Sequence, residues 1–175
     1  AMVTNRVVSG DYNGDGKDDI AALYDCGSGR TKIHVWLSNG SSFTLNNGLN
    51  GWWDSTGYYS SLTTGRVVSG DFNGDGKYDI AAMYDYGSWQ TKVHIWLSTG
   101  TAFTYQGNQG WYDSGVWGYD PSKVTGRVVA GDFTGDGKAD LATMYDFGNS
   151  RCQIHLFKTN SNGTGFVNNI WTSWY

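Results

Sequence analysis

The chain has 175 residues, 39% hydrophobic and 16% charged, with a net charge of -4 at pH 7; this is the balance of a globular chain, too polar for a membrane protein. Aromatic residues make up 16%, more ring surface than a disordered chain leaves in water, and the longest apolar runs, Ile20 to Tyr24 and Ile80 to Tyr84, are too short to span a bilayer. All 16 acidic residues are Asp, 26 residues are Gly and one is Pro, which excludes helical bundles, since Gly and Asp favour turns, while the acidic balance excludes a nucleic-acid surface.

The elements follow a repeat. Arg6 opens RVVSGDYNGDGKDDIAALYD, and similar stretches restart at Arg66 and Arg127. The chain therefore reads as one domain, 1–175, of three repeats over 6–65, 66–126 and 127–175. In each, a first strand (RVVSGD) leads through an Asp-rich loop to a second (DIAALYD). The third strand alternates Lys32, His34 and Trp36 with Ile33, Val35 and Leu37, the period of two that gives a strand two different faces. Asn39-Gly40 suits a tight hairpin. A fourth strand then starts at Phe43, Phe103 or Phe166 and runs into an aromatic stretch. The expected fold is all-β, with three tandem four-stranded antiparallel repeats resembling β-propeller blades. A compact three-fold, trefoil-like closure is the alternative.

The loop between the first two strands is the most specific signal. Oxygen donors fall at positions 1, 3, 5 and 9, with a main-chain carbonyl at 7: Asp11, Asn13, Asp15, Lys17 and Asp19 in the first repeat. Asp71, Asn73, Asp75, Lys77 and Asp79 follow in the second, and Asp132, Thr134, Asp136, Lys138 and Asp140 in the third. Hard Ca2+ takes oxygen ligands, so this spacing predicts about three calcium ions, one per repeat, that contribute to folding. An EF-hand would need Glu at position 12, where Ala22, Ala82 and Thr143 stand.

The recurring GDxNGDGxxDI with its flanking short strands resembles the FG-GAP/VCBS repeat family, found in integrin α-subunit propellers, propeller lectins and modules attached to secreted bacterial hydrolases. The resemblance covers nearly the whole chain and implies the calcium ligands already named; Thr134 and the short last segment depart from the pattern. Complete propellers of the family close six or seven blades. Three blades leave an arc of a longer protein, half of a ring made by two chains, or a compact three-fold body. Cys26 and Cys152 belong to the first and third repeats, so a bond between them would report closure.

His34, His94 and His155 recur at one place in the third strand, and hydrogen bonding within each repeat explains this better than a metal site. Polar residues come in repeated sets, which speaks against a unique catalytic constellation and for a non-catalytic protein. The irregular segments are GWWDSTGYYSS, GWYDSGVWGYD and NNIWTSWY. Rings beside carboxylates complement the C–H faces and hydroxyl groups of sugars. This reading assigns Trp52, Trp53, Asp54, Tyr58, Trp111, Tyr112, Asp113, Trp117, Trp171 and Trp174 to carbohydrate binding. With the family resemblance it predicts a secreted, calcium-stabilised, lectin-like module that targets an attached hydrolase to a polysaccharide or cell surface, or pairs as a homodimer. A protein-interaction or purely structural module is the alternative.

Overall fold

The computed structural model describes residues 2–174, with side chains as far as Trp171, so the side chain of Trp174 lies outside the described residues. The first repeat forms β1 (Val7–Gly10), β2 (Asp19–Asp25), β3 (Arg30–Ser38), β4 (Phe43–Asn46) and β5 (Trp53–Thr56). The second forms β6 (Val67–Gly70), β7 (Asp79–Asp85), β8 (Thr91–Ser98), β9 (Phe103–Tyr105) and β10 (Tyr112–Asp113). The third forms β11 (Val128–Gly131), β12 (Asp140–Gly148), β13 (Arg151–Thr159) and β14 (Phe166–Trp174). Among the described residues no helix is long and apolar enough to cross a membrane.

Each repeat makes one antiparallel sheet four strands wide. In the first two, the fourth position is shared by two short strands. β4 pairs with the end of β3 (Ser38 opposite Phe43) and β5 with its start (Ile33 opposite Trp53). The interruption is local chemistry. After β4 the chain makes a 3-10 turn at Gly48–Asn50, and Gly51 then takes φ 73° as it passes the Ile33 carbonyl, which accepts from the Trp52 amide at 2.7 Å. The third repeat lacks this insertion, so β14 runs as a single strand along β13, with one register shift where Ile154 faces Thr172 and His155 faces Ile170. The Asn39-Gly40 hairpin spans 39–42 rather than two residues; the Asn39 side-chain oxygen accepts from the Ser41 and Ser42 amides and closes it.

The alternation read in the third strand is realised as two packed faces. Ala21, Leu23, Ile33 and Val35 of the first sheet pack against Ile80, Ala82, Tyr84 and Trp96 of the second. Ala81, Met83, Val93 and Ile95, on the second sheet's opposite face, pack against Leu141 and Phe157 of the third. The strands β1, β6 and β11 lie side by side. Main-chain bonds stitch neighbouring repeats: Tyr78 N donates to Asp11 O at 2.8 Å, and Ala139 N to Asp71 O at 2.7 Å.

Propeller closure and the trefoil-like alternative are both corrected by this arrangement. Three sheets share only two cores, among the described residues no strand of one sheet is laddered to a strand of another, and no sheet curls into a barrel. Closure would need a third interface between the first and third sheets, whose outward faces carry exposed Phe43, Val129 and Met144. Cys26 and Cys152 are both free thiols.

Candidate functional site

Each Asp-rich loop is held by its own main chain. Asp11 Oδ1 accepts from the Gly14 amide at 2.7 Å and the Asp15 amide at 3.0 Å, and its Oδ2 from the Gly16 amide at 2.7 Å. Asn13 Oδ1 takes the Asp15 amide, Asp15 takes the Lys17 amide, and Lys17 Nζ returns to Asp15 at 3.2 Å. Asp71 and Asp132 repeat the pattern with the amides of Gly74, Asp75 and Gly76, and of Gly135, Asp136 and Gly137. For Asp132, the amide of Gly137 leads the interactions that hold its carboxyl below the usual range.

The ninth-position carboxylates are buried beams between strands. Asp79 Oδ1 accepts from Ser98 N at 2.8 Å and its Oδ2 from Phe72 N at 3.1 Å, so one side chain ties the loop to the end of β8. Asp19 does the same for Ser38 and Tyr12. Burial pushes the Asp79 carboxyl up to about 7, against the opposing pull of those two amides. In the third loop Phe133 N turns instead to Gly131 O, and buried Asp140 Oδ2 has no partner.

The expectation of three calcium ions is therefore corrected. Among the described residues no group of three or more His, Cys or Asp side chains is placed to hold a metal ion. Apart from Thr134 Oγ1 and Asp140 Oδ2, which have no partner, each side chain that the spacing offers as a ligand accepts from a main-chain amide: an Asp or Asn that caps a turn and one that binds a cation are the same residue type at the same spacing. Metal ligation by Asp11, Asn13, Asp15, Lys17 and Asp19, and by their counterparts from Asp71 to Asp79 and from Asp132 to Asp140, does not fit this arrangement.

The lectin-like reading is corrected on the same ground, what the side chains touch. Trp52, Tyr58 and Trp111 are buried between sheets. Trp53 packs against Tyr58 and Trp96 at ring separations of 5.5 and 5.3 Å, and Tyr112 against Phe157 at 4.9 Å. Asp54 accepts from Arg30 Nε at 2.9 Å, which with nearby Lys32 holds its carboxyl below the usual range. Asp113 is taken by Gln90 at 2.9 Å and Lys92 at 3.1 Å. These rings and acids are intersheet filling and edge ion pairs. Of the assigned rings with described side chains, Trp117 and Trp171 are exposed.

The histidines join repeats rather than serving only their own. His94 Nδ1 lies 3.2 Å from Tyr58 Oη of the first repeat, and Nε2 lies 3.2 Å from Tyr86 Oη. His155 Nδ1 lies 3.3 Å from Tyr119 Oη of the second repeat. His34 Nδ1 is buried and has no partner.

One feature of the middle repeat is not shared. Trp89 stands at the tip of the β7–β8 hairpin, where the other repeats have Gly29 and Ser150, and its ring meets that of Trp117 edge to face at 5.0 Å. Both are exposed, and both backbones are left-handed, with φ 54° and 64°. The Trp117 amide donates to Ser88 O at 2.9 Å and the Tyr119 amide to Trp89 O at 2.8 Å, which holds the two tips together. Trp89 is legible in the sequence as a ring where the first repeat has Gly29, whereas its pairing with Trp117 has no local signal, because the two lie in different loops.

No curated protein shows significant sequence similarity to the chain. Family models do match: an FG-GAP-like repeat over residues 11–82 and again over 71–143, and an FG-GAP repeat over 125–167. These repeats are structural rather than catalytic units. With these matches spanning most of the chain, and each of the three sheets carrying its Asp-rich loop between its first two strands, the chain belongs to the FG-GAP repeat family.

Proposed function

We propose that the chain is a non-catalytic protein-interaction module whose contact surface is the Trp89–Trp117 patch of the middle repeat. The observation that carries this reading is the pair itself: two exposed indoles in edge contact, each on a backbone conformation that non-glycine residues rarely adopt. Large rings held in place lose little freedom on binding, and Trp is enriched among the residues that dominate protein interfaces. A polar rim stands beside the pair, with Gln90 and Lys92 on Asp113 and the Lys92 ammonium 5.1 Å from the centre of the Tyr86 ring. Such a patch suits a protein surface with an apolar pocket and a polar margin.

The test compares the wild-type chain with Trp89→Ala/Trp117→Ala. Both side chains are exposed, so the melting temperature should hardly move. Partners cross-linked to the wild type are identified, purified and titrated. Binding weakened roughly tenfold or more in the variant supports the reading. Undiminished binding overturns it, as does a glycan-array signal that needs the same two rings while no protein binds.

A further inference from the structure

Each sheet has a receiving face and an inserting face, and the two internal interfaces show how they mate. The second sheet receives its successor on Val68, Phe72, Met83, Val93 and Trp111, and inserts Ile80, Tyr84, Trp96 and Phe103 into its predecessor. The third sheet carries the same receiving face one repeat on, as Val129, Phe133, Met144, Ile154 and Trp171. There it lines an open apolar groove of about 440 Å³. Phe133 is 42% exposed where Phe72 is 0%. The first sheet carries the same inserting face one repeat earlier, as Ile20, Tyr24, Trp36 and Phe43, and Phe43 is 53% exposed where Phe103 is 6%.

Polar groups show the same two open ends. Arg6 and Arg66 are buried and reach Thr64 and Thr125, at the ends of their own repeats where the chain enters the next, at 2.8 and 2.7 Å, whereas Arg127 is exposed. His94 and His155 each meet a tyrosine hydroxyl of the preceding repeat, whereas buried His34 Nδ1 meets none. Beside the open groove, the third loop has lost the Phe133-to-Asp140 bond that its two counterparts keep.

We infer that the third sheet of one chain receives the first sheet of a second copy, in a head-to-tail interface built like the two inside the chain. A second copy is the occupant because this chain itself carries the matching insert in the matching register. Phe103 sits between Tyr12 and Trp52 at ring separations of 5.6 and 5.4 Å, and Phe166 between Phe72 and Trp111 at 5.7 and 5.4 Å. Phe43 of the second copy completes the series between Phe133 and Trp171. The interface is heterologous, so it repeats until the rotation closes a ring or a filament grows. It involves neither Trp89 nor Trp117 and goes beyond the partner-binding reading.

The experiment is sedimentation velocity of the full chain over a range of concentrations, with Phe43→Asp on the inserting face and Met144→Asp on the receiving face; both positions are exposed. The wild type is expected to grow beyond one chain with concentration. Each variant alone stays a single chain, and their equimolar mixture forms a two-chain complex and nothing larger. A wild type that stays single overturns the inference. Self-association of Phe43→Asp overturns it in favour of third sheet against third sheet, and a mixture that stays single also overturns it. Trp89→Ala/Trp117→Ala associates like the wild type, so a failure here leaves the proposed function standing.

Discussion

At the scale of single residues, His94 shows how the repeats are welded. Its two ring nitrogens lie 3.2 Å from Tyr58 Oη and Tyr86 Oη, and burial, helped by the Lys92 charge, pulls its pKa down to about 4. The unfolded chain takes up the proton near pH 6.5, so the contribution of His94 is complete above that pH and is lost as pH falls toward 4. Urea unfolding of wild type and His94→Gln isolates it: the stability gap between them should shrink by roughly 3 kcal/mol from pH 7 to pH 4. A constant gap would mean that the imidazole is protonated as readily folded as unfolded. The recurrence of His at this position was legible in the sequence, but its tyrosine partner, some 36 residues upstream, was not. The Asp loops teach the same lesson. Their spacing located every oxygen, yet an oxygen that caps a turn and one that ligates a metal leave the same letters, and only the positions of the Gly14, Asp15 and Gly16 amides separate them.

At the scale of elements, alternation located the strands because each sheet in the stack buries one face or both, and a strand between two faces writes its period into the sequence. What alternation could not show is the break in the fourth strand. Gly51 and Gly110 make it, at φ 73° and 67°, where the chain crosses the Ile33 or Val93 carbonyl. The break turns Trp52 and Trp111 into the cores, which is why rings read as a display surface are filling. A Cβ on Gly110 would lie 2.5 Å from the Val93 oxygen. Gly110→Ala should therefore cost about 2 kcal/mol or more in chemical denaturation, from backbone strain together with that clash. Alanine at Gly107, whose added Cβ meets no neighbour at φ 88°, should cost less, since only the strain remains.

At the scale of the whole molecule, stability is a sum over neighbours, as expected where each repeat touches only the next. Residues 1–126 keep the core between the first two sheets intact and lay bare Met83, Val93 and Trp111. That fragment should retain a β-sheet circular dichroism spectrum and melt below the full chain. A fragment unfolded at all temperatures would show instead that the two cores form only together. Three repeats in register were legible from the sequence; the open arc was not, because closure depends on the angle between sheets, and a repeat carries the same letters in a ring and in an open stack.

The middle sheet is the one packed on both faces. Opening it requires parting two cores, whereas either outer sheet can peel away by parting one, so amide exchange should reach the central strands last. Trp89 and Trp117 are mounted on the hairpin and edge of that sheet. A partner arriving while the outer sheets breathe would still meet the two indoles on the slowest-exchanging part of the molecule, so that fluctuation at the ends and constancy at the contact coexist in one short chain.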